Sequence, residues 1–200
     1  MGALAPIGDA RSPYPEERDA VAGAGERRRR EFLSGRSCAH AALAALGRDE
    51  GAVAVGPHRH PVWPPGVVGS ISHAGSWAGA VVAPAGSVWA VGFDLEPLDP
   101  PLSPDVERLV AVAPDPVDPY RSKVVFSAKE CVYKCLFPAT GWALDFADVS
   151  VDLDLPGGRF SARVAAPFPG GLEGTVAIDR GHVFTGLALR QLSEGSGLTG

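Results

Sequence analysis

The sequence has no long apolar run and few cysteines. No stretch reaches the roughly 18 unbroken apolar residues that a membrane helix needs, and residues 1–12 lack the basic start and apolar run of a secretory signal. The three cysteines, Cys38, Cys131 and Cys135, are an odd number without framework spacing, so we expect reduced thiols that behave as small apolar residues. These absences predict a cytoplasmic protein that does not span a membrane.

The sequence also has no excess of positive charge. A net charge of -5 argues against a nucleic-acid binder, whose surface tends to be basic. An anionic ligand must therefore meet a local basic patch. The densest basic stretch runs from Arg27 to Arg30 and continues to Arg36, although solvated helix surface is the ordinary interpretation of such a run.

Turn and breaker residues divide the chain into two parts. The segment PLDPPLSP at 97–104 holds four prolines and is the best internal boundary. We predict four segments: an irregular N-terminal segment 1–15, an N-terminal half 16–100, a C-terminal half 101–192 and a flexible tail 193–200. The length of 200 residues allows two small packed units of this kind.

Each half is expected to place helices first and a small antiparallel sheet after them. Helical patterns cover 16–46, with a break near Ser34-Gly35, and 120–137. Alternating apolar residues predict strands at 67–72, 77–83, 87–96, 148–155 and 159–165, and on both sides of Arg180-Gly181. The turn residues 84–86 predict that 77–83 and 87–96 form a hairpin. The fold class is therefore α+β.

One strand carries two carboxylates on the same face. In the segment SVWAVGFDLEP, alternation places Asp94 and Glu96 on the face that also holds Ala90 and Gly92. Two like charges about 4 Å apart repel by about 4 kcal/mol at an effective dielectric near 20. The pair therefore needs solvent or a cation, and an exposed acidic pair is the ordinary alternative.

The helix at 120–137 carries a second charged pair. Glu130 and Lys134 are i, i+4 neighbours, and an ordinary surface pair of this kind contributes a few tenths of a kcal/mol. The flanking Phe126 and Phe137 predict instead that the other half of the molecule covers this face. Lys123 and Ser127 lie near the pair on the same face of the helix.

Ser72 and His73 end a strand beside glycine, where a ligand can approach the backbone closely. His58 and His60 make a poor zinc site because no further ligand spacing supports one. Together, the three carboxylates supply oxygen ligands for a hard cation, and a lysine, a histidine and several arginines supply positive charge. Such a set is typical of a site for a magnesium-bound phosphate ligand.

Three ordered motifs resemble those of the 4′-phosphopantetheinyl transferase superfamily: WPPGVVGSISH (63–73), VGFDLEP (91–97) and FSAKECVYKCLFP (126–138). With the upstream RRRREFLSGRSCAH, they are similar to the branch that serves siderophore, polyketide and nonribosomal peptide synthesis, the enterobactin synthase component D type. The resemblance covers about residues 27–155. It implies two similar α+β halves related by pseudo-twofold symmetry, each with a small antiparallel sheet packed on helices, and a ligand cleft between them.

The resemblance also implies roles for ten positions. The metal ligands fall on Asp94, Glu96 and Glu130. The phosphate-contacting groups fall on Ser72, His73, Lys129 and Lys134, and Arg28, Arg36 and Arg59 are the candidates for the 3′-phosphate and adenine end. Mg²⁺, with Mn²⁺ as a substitute, is the implied cofactor, and coenzyme A is the co-substrate. Glu130 would take the proton of the acceptor serine, and Lys134 would stabilise the transferring phosphoryl group.

The implied partners are acyl or peptidyl carrier proteins of polyketide synthase, nonribosomal peptide synthetase or fatty acid synthase systems. We expect a monomer without nucleic-acid or membrane partners, and a carrier-docking surface at 105–125 near Arg121 and Lys123. Two other functions use the same residues: a magnesium-dependent hydrolase of nucleotide pyrophosphates, and a coenzyme A binding module without catalysis.

Overall fold

The computed structural model describes residues 1–48, 51–111, 118–165 and 171–190. The helices are α1 Pro15–Asp19, α2 Glu26–Ala45, α3 Pro104–Val110 and α4 Pro119–Thr140, with a short 3₁₀ helix at Phe146–Asp148. The strands are β1 Gly2–Pro6, β2 Ala54–Val55, β3 Pro61–Val62, β4 Val67–Ala74, β5 Trp77–Pro84, β6 Ala90–Pro97, β7 Val149–Asp154, β8 Arg159–Val164, β9 Gly171–Asp179 and β10 His182–Leu189. In the part of the chain so described, no helix has the length and apolarity to cross a membrane.

The described residues form three antiparallel sheets, which together with the helices confirm the α+β class. One has the order β1-β5-β4, another β6-β10-β9-β8-β7, and β2 pairs with β3. Helix α2 covers the first sheet, where Leu43 and Ala80 belong to one apolar core. Helix α4 covers the second sheet, and its predicted apolar stripe, with Ala128 and Cys131, lies in the other core. The pseudo-twofold relation between the halves stays a prediction.

The predicted hairpin of 77–83 with 87–96 is wrong. β5 pairs with β1 and β4, whereas β6 pairs with β10 from Ala90↔Leu189 to Pro97↔His182. The turn at 84–86 does form, since Ser87 N–H donates to the carbonyl of Pro84. A turn changes the direction of the chain, but it does not determine which strand the following segment pairs with. The domain boundary predicted at residue 100 stays a prediction. β6 precedes this boundary in the sequence, but it pairs into the sheet formed by the strands that follow it.

Two further expectations are wrong. Residues 1–15 are not all irregular, because β1 pairs with β5 in the register Gly2↔Val81 to Pro6↔Trp77, and an edge strand tolerates proline and glycine. Helix α2 does not break near Ser34-Gly35 but runs on to Ala45. Gly35 serves close packing instead, since a Cβ there would lie 2.9 Å from Ile71 Cγ2 of β4. The predicted tail at 193–200 lies outside the described residues.

Gly92 allows α4 to pack directly on β6. A Cβ at this position would lie 2.1 Å from the carbonyl oxygen of Cys131, a backbone atom that cannot move without shifting the helix. We expect Gly92→Ala to lower the free energy of unfolding by about 3 kcal/mol, the upper end for overpacking. Urea denaturation would measure this change.

Gly86→Ala is the matched control for that variant. Apart from its two chain neighbours, no described residue has an atom within 4 Å of a Cβ at Gly86, and both substitutions restrict the unfolded chain to the same degree. Equal free energies of unfolding for the two variants would show that the close packing of α4 on β6 does not depend on glycine at position 92.

Candidate active site

The site is centred on Asp94, the middle of β6. The carboxylate is 1% exposed, and donors from two other elements reach it. Lys134 Nζ of α4 lies 2.5 Å from Oδ1, Ser72 Oγ of β4 donates to Oδ1 at 2.9 Å, and Ser127 Oγ of α4 donates to Oδ2 at 2.8 Å. The predicted charged face of α4 is thus covered by β6 and β4.

Two serines of β4 replace the missing backbone ladder between β4 and β6. Ser70 Oγ accepts from the N–H of Phe93 and donates to its carbonyl, and Ser72 Oγ accepts from the N–H of Leu95 at 3.3 Å. Because hydroxyls bridge these strands, the two large sheets meet at the site without merging into one.

Lys134 is held as an ammonium group by its neighbours. Burial disfavours the charge, but the Asp94 carboxylate outweighs burial, and Glu130 adds to its effect, so the pKa of Lys134 is raised. An ammonium group has three N–H donors. Among the described residues, Ser72 and Asp94 accept two of them, which leaves one for a ligand.

Glu96 and Glu130 are partly buried beside Asp94. Burial, then the charge of Asp94, raises the pKa of Glu96 to about 7, while Lys123 and Lys134 oppose the shift. Burial also raises the pKa of Glu130, Lys134 opposes it, and Asp94 adds to it. Both pKa shifts have the same two causes: the carboxylates are partly buried, and they lie close enough to repel one another.

A second group of residues lies at the N-terminal part of α2. Arg28 Nη1 donates to His73 Nε2 at 2.9 Å, so the imidazole accepts at Nε2 and is neutral. Burial lowers the pKa of His73, with Glu31 opposing and Arg28 adding to the shift. The charges of Asp94 and Lys134 also act on the pKa of His73, and Ser72 bonds to both residues, so Arg28 is connected to the site through His73.

Arg36 is buried although it carries a charge. It is 4% exposed, its guanidinium lies 4.5 Å from the centre of the Phe32 ring, and Nη2 donates to the carbonyl of Ala54. Its Nε has no hydrogen-bond partner among the described residues. Burial lowers the pKa of Arg36 to about 10, and Arg28 adds to the effect while Glu17 opposes it.

Two cavities meet at Glu130. One, of about 200 Å³, is lined by residues that include Arg59, Lys134 and Phe137. The other, of about 350 Å³, is lined by residues that include Tyr133 and Leu144. Glu130 and Tyr133 line both, so the two cavities lie on either side of these side chains.

Lys129 does not join the residues around Asp94. Its Nζ donates to the carbonyls of Val110 at 2.6 Å and Phe146 at 3.1 Å, and the residue is 2% exposed. Five helical residues turn by about 140°, so Lys129 faces away from Lys134. Lys129 packs against these carbonyls and also lines a cavity beside Glu130, and its phosphate contact stays a prediction.

Lys123 does not fit the predicted docking surface. It is 7% exposed, and its charge acts on Glu96. Arg121 keeps 39% of its side chain exposed and still fits a docking role. Of the predicted surface, residues 112–117 lie outside the described residues.

Two residues of the site escaped the sequence analysis. Thr185 is the cross-strand partner of Asp94, and Ser127, noted only as a neighbour of the charged pair, bonds to Asp94 directly. The sequence around Thr185 contains no pattern that identifies it as a site residue. It lies beside Asp94 only because β6 pairs with β10, which is about 90 residues away in the sequence.

Carboxylates and cationic groups gathered where two sheets meet are typical of an enzyme that handles phosphate groups. Comparison with known proteins gives the family. Residues 16–83 match the family model of the 4′-phosphopantetheinyl transferase N-terminal domain. The chain is 37% identical to 4′-phosphopantetheinyl transferase Svp of Streptomyces mobaraensis, covering 88% of this chain and 78% of that protein.

Other similar proteins support the same family. Identity to 4′-phosphopantetheinyl transferase PptT of Mycobacterium tuberculosis is 34%, covering 89% of this chain and 86% of that protein. Identity to enterobactin synthase component D of Salmonella typhi is 37%, covering 58% and 51%. The chain belongs to the 4′-phosphopantetheinyl transferase family and is an enzyme that transfers this group from coenzyme A.

Proposed function

We propose that the chain transfers 4′-phosphopantetheine from coenzyme A to a serine of an acyl or peptidyl carrier protein, with Mg²⁺ held by Asp94, Glu96 and Glu130. The observation that supports this most strongly is the hydrogen-bonded set of Ser72, Asp94 and Lys134 beside Glu130, at the meeting of the two sheets.

The donor set fits magnesium. Mg²⁺ prefers oxygen ligands, and in phosphate sites it uses one or two carboxylates together with water and substrate oxygens. Among the described residues no three acidic, histidine or cysteine side chains are grouped so that they could hold a metal ion by themselves, so the proposed site depends on oxygens of the substrate or of water to complete it. Bound there, Mg²⁺ neutralises charge on the pyrophosphate.

The basic residues support binding of the nucleotide end. Arg28 and the neutral His73 offer hydrogen-bonding groups beside the carboxylates, and Arg36 has a buried Nε free to donate within the described residues. Arg59, exposed at the rim of the smaller cavity, can reach the adenine end. The larger cavity, with Leu144 and Phe146 beside Lys129 and Asp145, offers both apolar and polar groups to the pantetheine arm.

The chemical step needs a base and a cation from the protein. The serine oxygen of the carrier forms a bond to the β-phosphorus of coenzyme A, and the bond from that phosphorus to the bridging oxygen breaks, releasing 3′,5′-ADP. Glu130, half-buried between the two cavities, takes the serine proton directly or through a water. The free N–H of Lys134 donates to the transferring phosphoryl group.

An exposed surface at α3 and the start of α4 suits carrier docking. Leu109 is 67% exposed and Tyr120 is 45% exposed, and Arg121 supplies positive charge beside them. A protein with a net charge of -5 needs such a local patch to bind acidic carriers.

Mass spectrometry of an apo carrier protein tests the proposal. We expect a gain of one phosphopantetheine group when the enzyme, coenzyme A and Mg²⁺ are present, and none with a carrier whose acceptor serine is replaced by alanine. Carriers from nonribosomal peptide, polyketide and fatty acid systems would be compared. Absence of a gain with all of them would refute the proposal.

Coenzyme A without a carrier separates the transferase from a hydrolase. The transferase should release no 3′,5′-ADP under this condition, because the acceptor hydroxyl is missing. Steady release would favour the pyrophosphate hydrolase instead.

A further inference from the structure

A chain of buried hydroxyls connects Asp94 to β10. Ser127 Oγ donates to Asp94 Oδ2 at 2.8 Å, Thr185 Oγ1 lies 3.0 Å from Ser127 Oγ, and Thr185 Oγ1 donates to the carbonyl of Ser127 at 3.0 Å. Asp94 is 1% exposed, Ser127 is 0% exposed and Thr185 is 1% exposed. Water therefore does not compete for these hydrogen bonds.

The direction of donation follows from the acceptors. Each hydroxyl has one hydrogen, and a bond to a carboxylate is stronger than one to a neutral oxygen. Ser127 therefore gives its hydrogen to Asp94, and Thr185 directs its own hydrogen toward the carbonyl and hydroxyl oxygens of Ser127. Thr185 orients Ser127, and Ser127 orients Asp94.

Within the part of the chain that the structure describes, this order leaves one acceptor position on Asp94. A carboxylate has about four lone-pair sites. Lys134 and Ser72 occupy those of Oδ1, and Ser127 occupies one of Oδ2. Donors on both oxygens, from two different elements, stop the carboxylate from rotating about its Cβ–Cγ bond.

We propose that Ser127, itself oriented by Thr185, is a positioning residue that fixes the Asp94 carboxylate so that the remaining Oδ2 lone pair is held ready for a divalent cation. The inference rests on the proposed function, because it takes Asp94 as a metal ligand. It assigns to β10, which carries none of the predicted site residues, a part in metal binding.

Magnesium affinity tests the inference apart from catalysis. Calorimetric titration of Mg²⁺ into the protein saturated with coenzyme A, without a carrier, gives a dissociation constant. Loss of a residue that orients a metal ligand weakens metal binding by about 10–100-fold. We expect Ser127→Ala to raise the Mg²⁺ dissociation constant by about 10-fold and to leave KM for the carrier unchanged.

The helix offers a matched control. Ser122 is also a buried serine of α4, 2% exposed, and its Oγ donates to the Glu107 carboxylate at 2.6 Å. Ser122→Ala removes a comparable hydrogen bond away from Asp94, so it should destabilise the fold without changing Mg²⁺ affinity. Ser127→Thr, which keeps the hydroxyl, should recover most of the lost affinity.

A double-mutant cycle tests the order of the hydroxyls. If Thr185 acts through Ser127, Ser127→Ala with Thr185→Val should bind Mg²⁺ no more weakly than Ser127→Ala alone. Wild-type Mg²⁺ affinity in Ser127→Ala would overturn the inference, and so would absence of Mg²⁺ binding in the wild type. Failure of the wild type to modify any carrier would instead refute the proposed function, whatever the metal titration gives.

Discussion

Lys134→Met is expected to lower kcat for carrier modification by about 10²–10³-fold, the usual cost of removing one donor to a developing charge. The substitution keeps the apolar length of the side chain but removes the ammonium group that touches Asp94 and Ser72. Steady-state assays with saturating coenzyme A and Mg²⁺ would measure the loss. Turnover near that of the wild type would contradict a role for this group in transfer.

The same variant should also be less stable. Asp94 is 1% exposed, and removal of one partner from a buried ion pair costs up to about 3–5 kcal/mol, because, among the described residues, only the hydroxyls of Ser72 and Ser127 then compensate the buried carboxylate. The double variant Asp94→Asn with Lys134→Met removes both charges, so it should regain much of this stability without regaining activity. Urea denaturation of the two variants separates the effect on folding from the effect on catalysis.

Glu130→Gln is expected to lower kcat by about 10²–10⁴-fold, the range that general acid–base catalysis contributes. Glutamine has the same shape but cannot take a proton, so coenzyme A affinity should stay close to that of the wild type. Single-turnover rates at saturating Mg²⁺ separate the chemical step from weakened metal binding. The variant also tests the coenzyme A binding module, since a mere binder would lose nothing beyond metal affinity.

Glu173→Gln is the control for that variant. Glu173 is exposed on β9, so loss of its charge should leave the rate of transfer unchanged. Similar rates for Glu130→Gln and Glu173→Gln would rule out Glu130 as the base.

Local patterns in the sequence were sufficient for much of the fold. Alternation gave β7 and β8 within two residues of their observed ends, and the apolar stripe of α4 lies in the core. These patterns succeed because each residue's burial depends on its own position along a helix or strand. They give no information on which distant strand supplies the neighbour, so the pairing of β6 with β10 could not be predicted.

For the site, too, sequence motifs identified most residues but did not identify those that only strand pairing brings together. Motif order placed Ser72, Asp94 and Lys134 in one site, and the structure joins these three side chains by hydrogen bonds. Lys129, from the same motif, bonds to the carbonyls of Val110 and Phe146 instead of joining this set, because its position on the helix points it away from Lys134. Thr185 was missed because only the sheet register brings it opposite Asp94.

The pairing of β6 with β10 has a consequence for synthesis on the ribosome. The first sheet, with β1, β4 and β5, can close once residue 84 has emerged, and it already holds Ser72 and His73. Asp94 follows within a few residues, but the partner that its strand has within the described residues is β10, which is translated about 90 residues later. We therefore expect the nascent chain to carry Ser72, Asp94, Glu130 and Lys134 before it can arrange them, and to become active when β10 joins β6.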